Sequence, residues 1–163
     1  NASNELKPEN WGNFNGWYVD LPATGERLLK GMEFYDASNL LTVWSQVPAK
    51  GSTASADVES CDATSVDEEH QYRTFVNIMD GKAPSVALVD KNKDGKFNVA
   101  DGDGYSVGSG KYISISRKKV EKGPHSIIGI GKYENVDIDA KNNKEKLARM
   151  PEESLRPSWR QIQ

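Results

Sequence analysis

The chain has one cysteine, Cys61, and two histidines in 163 residues. No disulfide can close within it, so Cys61 either pairs with a thiol elsewhere or fills a small buried space. A nucleophilic cysteine finds no support, because the nearest histidine, His70, lies in the polar run Asp67-Glu68-Glu69-His70 without a motif around it. Long apolar runs are missing as well. Nothing approaches the roughly 20 residues that cross a bilayer, which argues against membrane insertion. The start, Asn1-Ala2-Ser3-Asn4-Glu5, has no basic segment followed by an apolar one, so any export signal is expected upstream or already removed. There is also no Arg-Gly-Asp tripeptide for integrin recognition.

Charge is plentiful, at 28% of residues, but unevenly placed around a net of -3. Residues 111–163 hold twelve Lys/Arg against seven Asp/Glu, and residues 1–110 hold nine against seventeen. The basic stretches Arg117-Lys118-Lys119 and 141–149 alternate with acids and lack interleaved stacking aromatics. They read as solvated faces and give no footprint for nucleic acid.

What is present in strength is a run of oxygen donors. In Asp90-Lys91-Asn92-Lys93-Asp94-Gly95-Lys96-Phe97-Asn98-Val99-Ala100-Asp101 the spacing suits a twelve-residue calcium loop. Ca²⁺ takes six to eight oxygens, and a short segment supplies them only by folding back on itself. Asp90, Asn92 and Asp94 are placed to give side-chain oxygens, Lys96 its carbonyl, Asn98 a direct or water-mediated ligand, and Asp101 the closing carboxylate. Gly95 allows the sharp turn. The competing reading is a metal-free surface turn, since Asp, Asn and Gly also favour turns. The last ligand is Asp rather than the longer Glu, and Ser85-Val86-Ala87-Leu88-Val89 ahead of the loop reads as a strand. The pattern therefore predicts a calcium staple in a β-rich protein, not a helix-loop-helix sensor.

Periodicity elsewhere is mostly that of strands. Trp17–Leu21, Arg27–Leu29, Met32–Tyr35, Leu40–Val47, Gln71–Met79, Lys111–Arg117 and Ser126–Gly131 are candidate strands separated by Pro, Gly and Asp signals. Residues 50–64 read as a long loop. Lys111–Arg117 is expected to alternate apolar-in and polar-out. Near the end, Asn143 is placed to cap a short C-terminal helix over Lys144–Arg149, stopped before Pro151. The fold class is mainly β, as a sandwich, a barrel or propeller blades. Residues 1–163 form either a single β-rich domain or a C-terminal fragment of a larger β-propeller domain.

Gly16-Trp17-Tyr18-Val19-Asp20-Leu21-Pro22 followed by Gly25-Glu26-Arg27 resembles a signature in the C-terminal region of the PilY/PilC family of type IV pilus tip-associated adhesins. The landmarks that follow keep the family's order: Thr42 to Pro48, Cys61 in a loop, the calcium loop from Asp90 to Gly95, and Ser158-Trp159-Arg160 near the end. The resemblance implies a secreted bacterial protein at the pilus tip, non-enzymatic, whose modified β-propeller binds Ca²⁺. It further implies calcium-linked control of pilus extension and retraction, hence of twitching motility and surface attachment. The implied partners are minor pilin proteins and surface or host ligands. The chain is shorter than that family's members, and a propeller needs typically four to eight four-stranded blades. A segment equivalent to its C-terminal blades is the expectation.

The aromatics allow a second reading as a carbohydrate-stacking platform, through Trp11, Trp17, Tyr18, Trp44 and Trp159. For Trp17 and Trp44 a core role fits better, because both lie in strand-like apolar patterns. A dockerin-like module is the other alternative, but dockerins carry two calcium loops on helices. Glu26-Arg27 reads as a turn-associated ion pair, Glu68-Glu69 as a solvated loop, and neither marks the carboxylate pair of a glycoside-active enzyme.

Overall fold

The computed structural model describes residues 12–13, 15–49, 68–132 and 134–150. Trp11, the 50–64 loop with Cys61, and the terminal Ser158-Trp159-Arg160 lie outside the described residues.

Among the described residues ten short strands carry the architecture: β1 (Arg27–Leu28), β2 (Glu33–Phe34), β3 (Leu40–Val47), β4 (His70–Asn77), β5 (Gly104–Ser106), β6 (Tyr112–Ser114), β7 (Arg117–Val120), β8 (Ser126–Gly129), β9 (Glu134–Ile138) and β10 (Lys144–Ala148). All pairings are antiparallel. The main sheet runs β1-β3-β4-β7, with β2 also on β3; a second sheet runs β10-β9-β8, and β5 and β6 form a separate hairpin. The protein is thus mainly β, as its periodicity predicts. Among the described residues no closed barrel or propeller ring forms.

The centre of the main sheet is β3 against β4, with Leu40 opposite Asn77 and Val47 opposite His70. Val and Trp in β3 and Phe in β4 suit a pleated surface covered on one face. That face meets the second sheet in a cluster of Tyr35, Leu40, Phe75, Leu88, Val89, Leu147 and Ala148, all buried. Tyr35 meets Phe75 edge-on at 4.9 Å, and its hydroxyl donates to the Ala148 carbonyl at 2.6 Å. Trp44 is 2% exposed, consistent with its core role.

Between the sheets lies a buried ionic network. Arg73 of β4, 1% exposed, donates to Asp137 of β9 and, at 3.2 Å, to Glu145 of β10. His125 faces Asp137 Oδ1 at 3.0 Å and the Glu121 carbonyl at 2.7 Å, and its ring lies against Trp44 at 4.8 Å. Burial of charge on this scale is sustained only where pairing and hydrogen bonding replace water.

Five expectations are corrected. Lys144–Arg149 does not form a helix: Lys144–Ala148 pairs along its full length with Ile138–Glu134. Lys, Glu, Leu and Ala all favour helix locally, but pairing buries Leu147 and Ala148 against the main sheet, and tertiary burial outweighs propensity. Asn143 serves the preceding turn instead, where the Asp139 carboxylate accepts from the backbone N–H of Lys141 and Asn143 and from Asn143 Nδ2. Trp17–Leu21 is not a strand; Trp17 reaches across to donate its indole N–H to the Ile78 carbonyl at 2.8 Å. Ser85–Val89 makes a single bridge, Val89 to Leu147, rather than a ladder. Lys111–Arg117 breaks between β6 and β7, leaving Ile113 exposed while Ser114 and Ile115 are both buried. Glu26 does not pair with Arg27: its carboxylate binds Arg117 through both oxygens, at 2.5 and 3.0 Å.

Candidate metal centre

The loop at Asp90 leaves the core from a fixed base. Leu88 and Val89 are buried, and the Leu88 carbonyl accepts from Ala148 N–H at 2.9 Å. Partway along the loop, Phe97 packs back against the same cluster. Between these anchors the chain turns through Lys93 and Gly95, with φ of 61° and 80°. Glycine adopts that conformation without steric cost.

Side-chain caps hold the turn together. Asp90 Oδ2 accepts from Gly95 N–H at 3.0 Å, Asn92 Oδ1 from Asp94 N–H at 3.1 Å, and Asp94 Oδ1 from Lys96 N–H at 2.8 Å. Asn98 caps the 3-10 turn Val99–Asp101 by accepting from Ala100 N–H. These bonds hold carboxylate and amide oxygens against the backbone of the turn.

The structure brings Asp90, Asp94 and Asp103 together: one carboxylate oxygen from each lies within 4.8 Å of the other two. This trio can hold a metal ion. Asp90 and Asp94 are two of the residues picked out by spacing. Asp101, the expected closing carboxylate, is exposed in the 3-10 turn, where its carbonyl accepts from Asn92 Nδ2 at 2.7 Å. Its carboxylate is not in the trio, while Lys96 enters the loop geometry through its N–H.

Asp103 is the residue that spacing does not pick out. It is fully buried, and Oδ1 accepts from Lys91 N–H at 2.7 Å and Asn92 N–H at 3.4 Å, while Oδ2 accepts from Asn98 N–H at 2.9 Å. One side chain thereby ties the start of the loop to its far arm. Its sequence signal was the repeat Asp101-Gly102-Asp103-Gly104, which places a second acid two residues beyond the twelfth position. Gly104 is fixed by space: a Cβ there would lie 2.6 Å from the Val99 carbonyl and 2.7 Å from that of Ile113.

No family model matches the chain, and no curated protein or solved structure matches it either.

An orphaned atom tests the fit of an ion. Asp90 Oδ1 is buried without a hydrogen-bond partner, while every other carboxylate oxygen named above as an acceptor meets an N–H. A buried anionic oxygen without a partner is costly, and a cation within the trio would remove that cost. The donors are all oxygen, the set preferred by Ca²⁺ and Mg²⁺ rather than by zinc or copper.

Proposed function

We propose that the Asp90–Asp103 segment binds Ca²⁺ as a structural staple and that the chain is the calcium-binding part of a secreted type IV pilus tip-associated adhesin. The observation that carries the metal reading is the buried, unpartnered Oδ1 of Asp90, a residue whose carboxylate lies within 4.8 Å of two others. Asp90, Asp94 and Asp103 would hold the ion. Asn92, Asn98, the Lys96 carbonyl and Asp101, through direct or water-mediated contacts, are the remaining candidates for the six to eight oxygens. Bound calcium would offset most of the charge of three crowded carboxylates and so stabilise the turn between the Val89 base and the β5–β6 hairpin.

The pilus context rests on the ordered landmarks from Gly16 to Arg160, and in it the antiparallel sheets correspond to C-terminal blades of a modified propeller. Calcium then makes the surface around the loop conditional on the ion, in line with control of pilus extension, retraction and attachment. Binding rather than catalysis suits His125, because both of its ring nitrogens are already engaged. A dockerin-like reading fits less well, since the extended Val89 base and a β-hairpin flank the loop where helices would be needed.

Calcium titration with thermal melting tests the metal reading. Exported calcium modules bind at about 10⁻⁴ to 10⁻³ M. At a hundredfold excess over Kd, calcium should stabilise the fold by about 2.7 kcal/mol, a rise of roughly 5–10 °C in Tm. Asp90→Ala with Asp94→Ala should abolish that rise. An unchanged affinity in the double variant would remove the site.

A further inference from the structure

Beside the candidate metal centre runs a cleft of about 340 Å³ whose walls come from distant parts of the chain. One wall is β7, contributing Arg117, Lys118 and Lys119; the other is the loop, contributing Lys91 and Lys93. Five cations thus converge there, against Asp90 as the one acid. Arg117 is neutralised by Glu26 and Lys118 by Glu145. Lys91, Lys93 and Lys119 have no ion pair among the described residues, and Lys91 lies over the half-exposed Tyr105 ring at 5.2 Å.

The cleft also coincides with a sheet edge. β7 pairs with β4 on one side and closes the order β1-β3-β4-β7 on the other. No residue of β4 lines the cleft, and β7 has no second partner strand among the described residues. In an antiparallel strand alternate residues point their N–H and C=O away from the existing partner. Such an edge accepts another strand, which receives affinity from main-chain hydrogen bonds and specificity from its side chains. Lysines on an edge strand also guard against self-association by like-charge repulsion. That role accounts for β7 but not for Lys91 and Lys93, which project from a separate loop into the same space.

We propose that this cleft docks an extended acidic segment of a partner protein, which adds as a strand to the edge of β7 with its carboxylates against Lys91, Lys93 and Lys119. A peptide fits better than nucleic acid, because Tyr105 is the single aromatic in the cleft and one of its faces carries Lys91. Base stacking needs a series of open aromatic faces. The docking rests on the cleft's own cations and stands apart from the identity of the metal.

A labelled peptide of alternating Glu and Val, titrated into the full chain with calcium present, tests this. Expected are saturable binding, new hydrogen-exchange protection confined to alternate amides of Arg117–Val120, and loss of affinity by about tenfold in Lys91→Gln/Lys93→Gln/Lys119→Gln. These lysines are exposed, and an unchanged melting temperature confirms that the variant folds. The same peptide with alternate backbone nitrogens methylated cannot pair with the edge and should not bind. Absence of binding by the unmodified peptide overturns the proposal. So does equal binding of the methylated peptide, of oligo-dT or of a sulfated oligosaccharide with the same lysine dependence, which would mark a general polyanion surface.

Discussion

Asp103→Ala is the most informative single change in the loop. The carboxylate is fully buried and accepts three backbone N–H groups, two of them at 2.7 and 2.9 Å and one long at 3.4 Å. A buried donor left unmet costs about 1–3 kcal/mol. Lys91, Asn92 and Asn98 are themselves exposed, so water can reach the freed amides and the low end of that range applies. The expected loss is about 2–4 kcal/mol, a large part of the 5–15 kcal/mol typical of a whole domain. Urea unfolding in chelator reads that loss without any contribution from calcium. Asp103→Asn separates the two roles of the residue. Its remaining oxygen still serves the Lys91 side, but its amide presents a donor to Asn98 N–H, so about half the loss is expected. Its charge is gone, so calcium affinity should fall as far as in the alanine variant. An alanine variant within about 0.5 kcal/mol of the parent, with calcium affinity intact, would refute both the organising and the ligating role.

Arg73→Met should cost about 3–5 kcal/mol, read as a lower urea midpoint, because it leaves Asp137 in the buried face with His125 in place of its guanidinium partner. Lys118→Met at the exposed end of the same network should cost under about 1 kcal/mol; equal effects would contradict the burial argument. Glu26 has its pKa held below the ordinary 4.5: burial alone raises it, but bonds from Arg117, Ser45 and the Ala23 N–H outweigh burial. A carboxylate depressed in the folded state stabilises above its unfolded pKa, and that contribution disappears as pH falls through the folded value. Glu26→Gln should therefore flatten the acid limb of stability below about pH 4.5, and an unaltered limb would count against the Glu26–Arg117 pair.

The parts of the fold legible in the sequence are those whose pattern and pairing agree. Leu40–Val47 is rich in β-branched and aromatic residues and is the central strand; the strand expected from Gln71 begins one residue earlier and ends at Asn77. Lys144–Arg149 was illegible because its residues suit a helix, and only the partner strand Glu134–Ile138 decides otherwise. Trp17 reads as strand because of its neighbours, whereas its indole is committed to Ile78, 61 residues away. Glu26 likewise finds its partner 91 residues on, where no local rule reaches. At the candidate centre, spacing identified Asp90 and Asp94. Asp103 was hidden because an Asp-Gly repeat is also what a turn requires, and its role depends on the hairpin folding it back over Lys91.

The two anchors of the loop have a mechanical meaning. Asp90 follows a base locked into the core, and Asp103 leads into an exposed hairpin, yet their carboxylates come within 4.8 Å. The fourteen residues from one to the other would span about 45–50 Å if drawn out. A cation clasped by both ends would therefore store that length, and a pull across the chain would lengthen the molecule there only when the clasp opens.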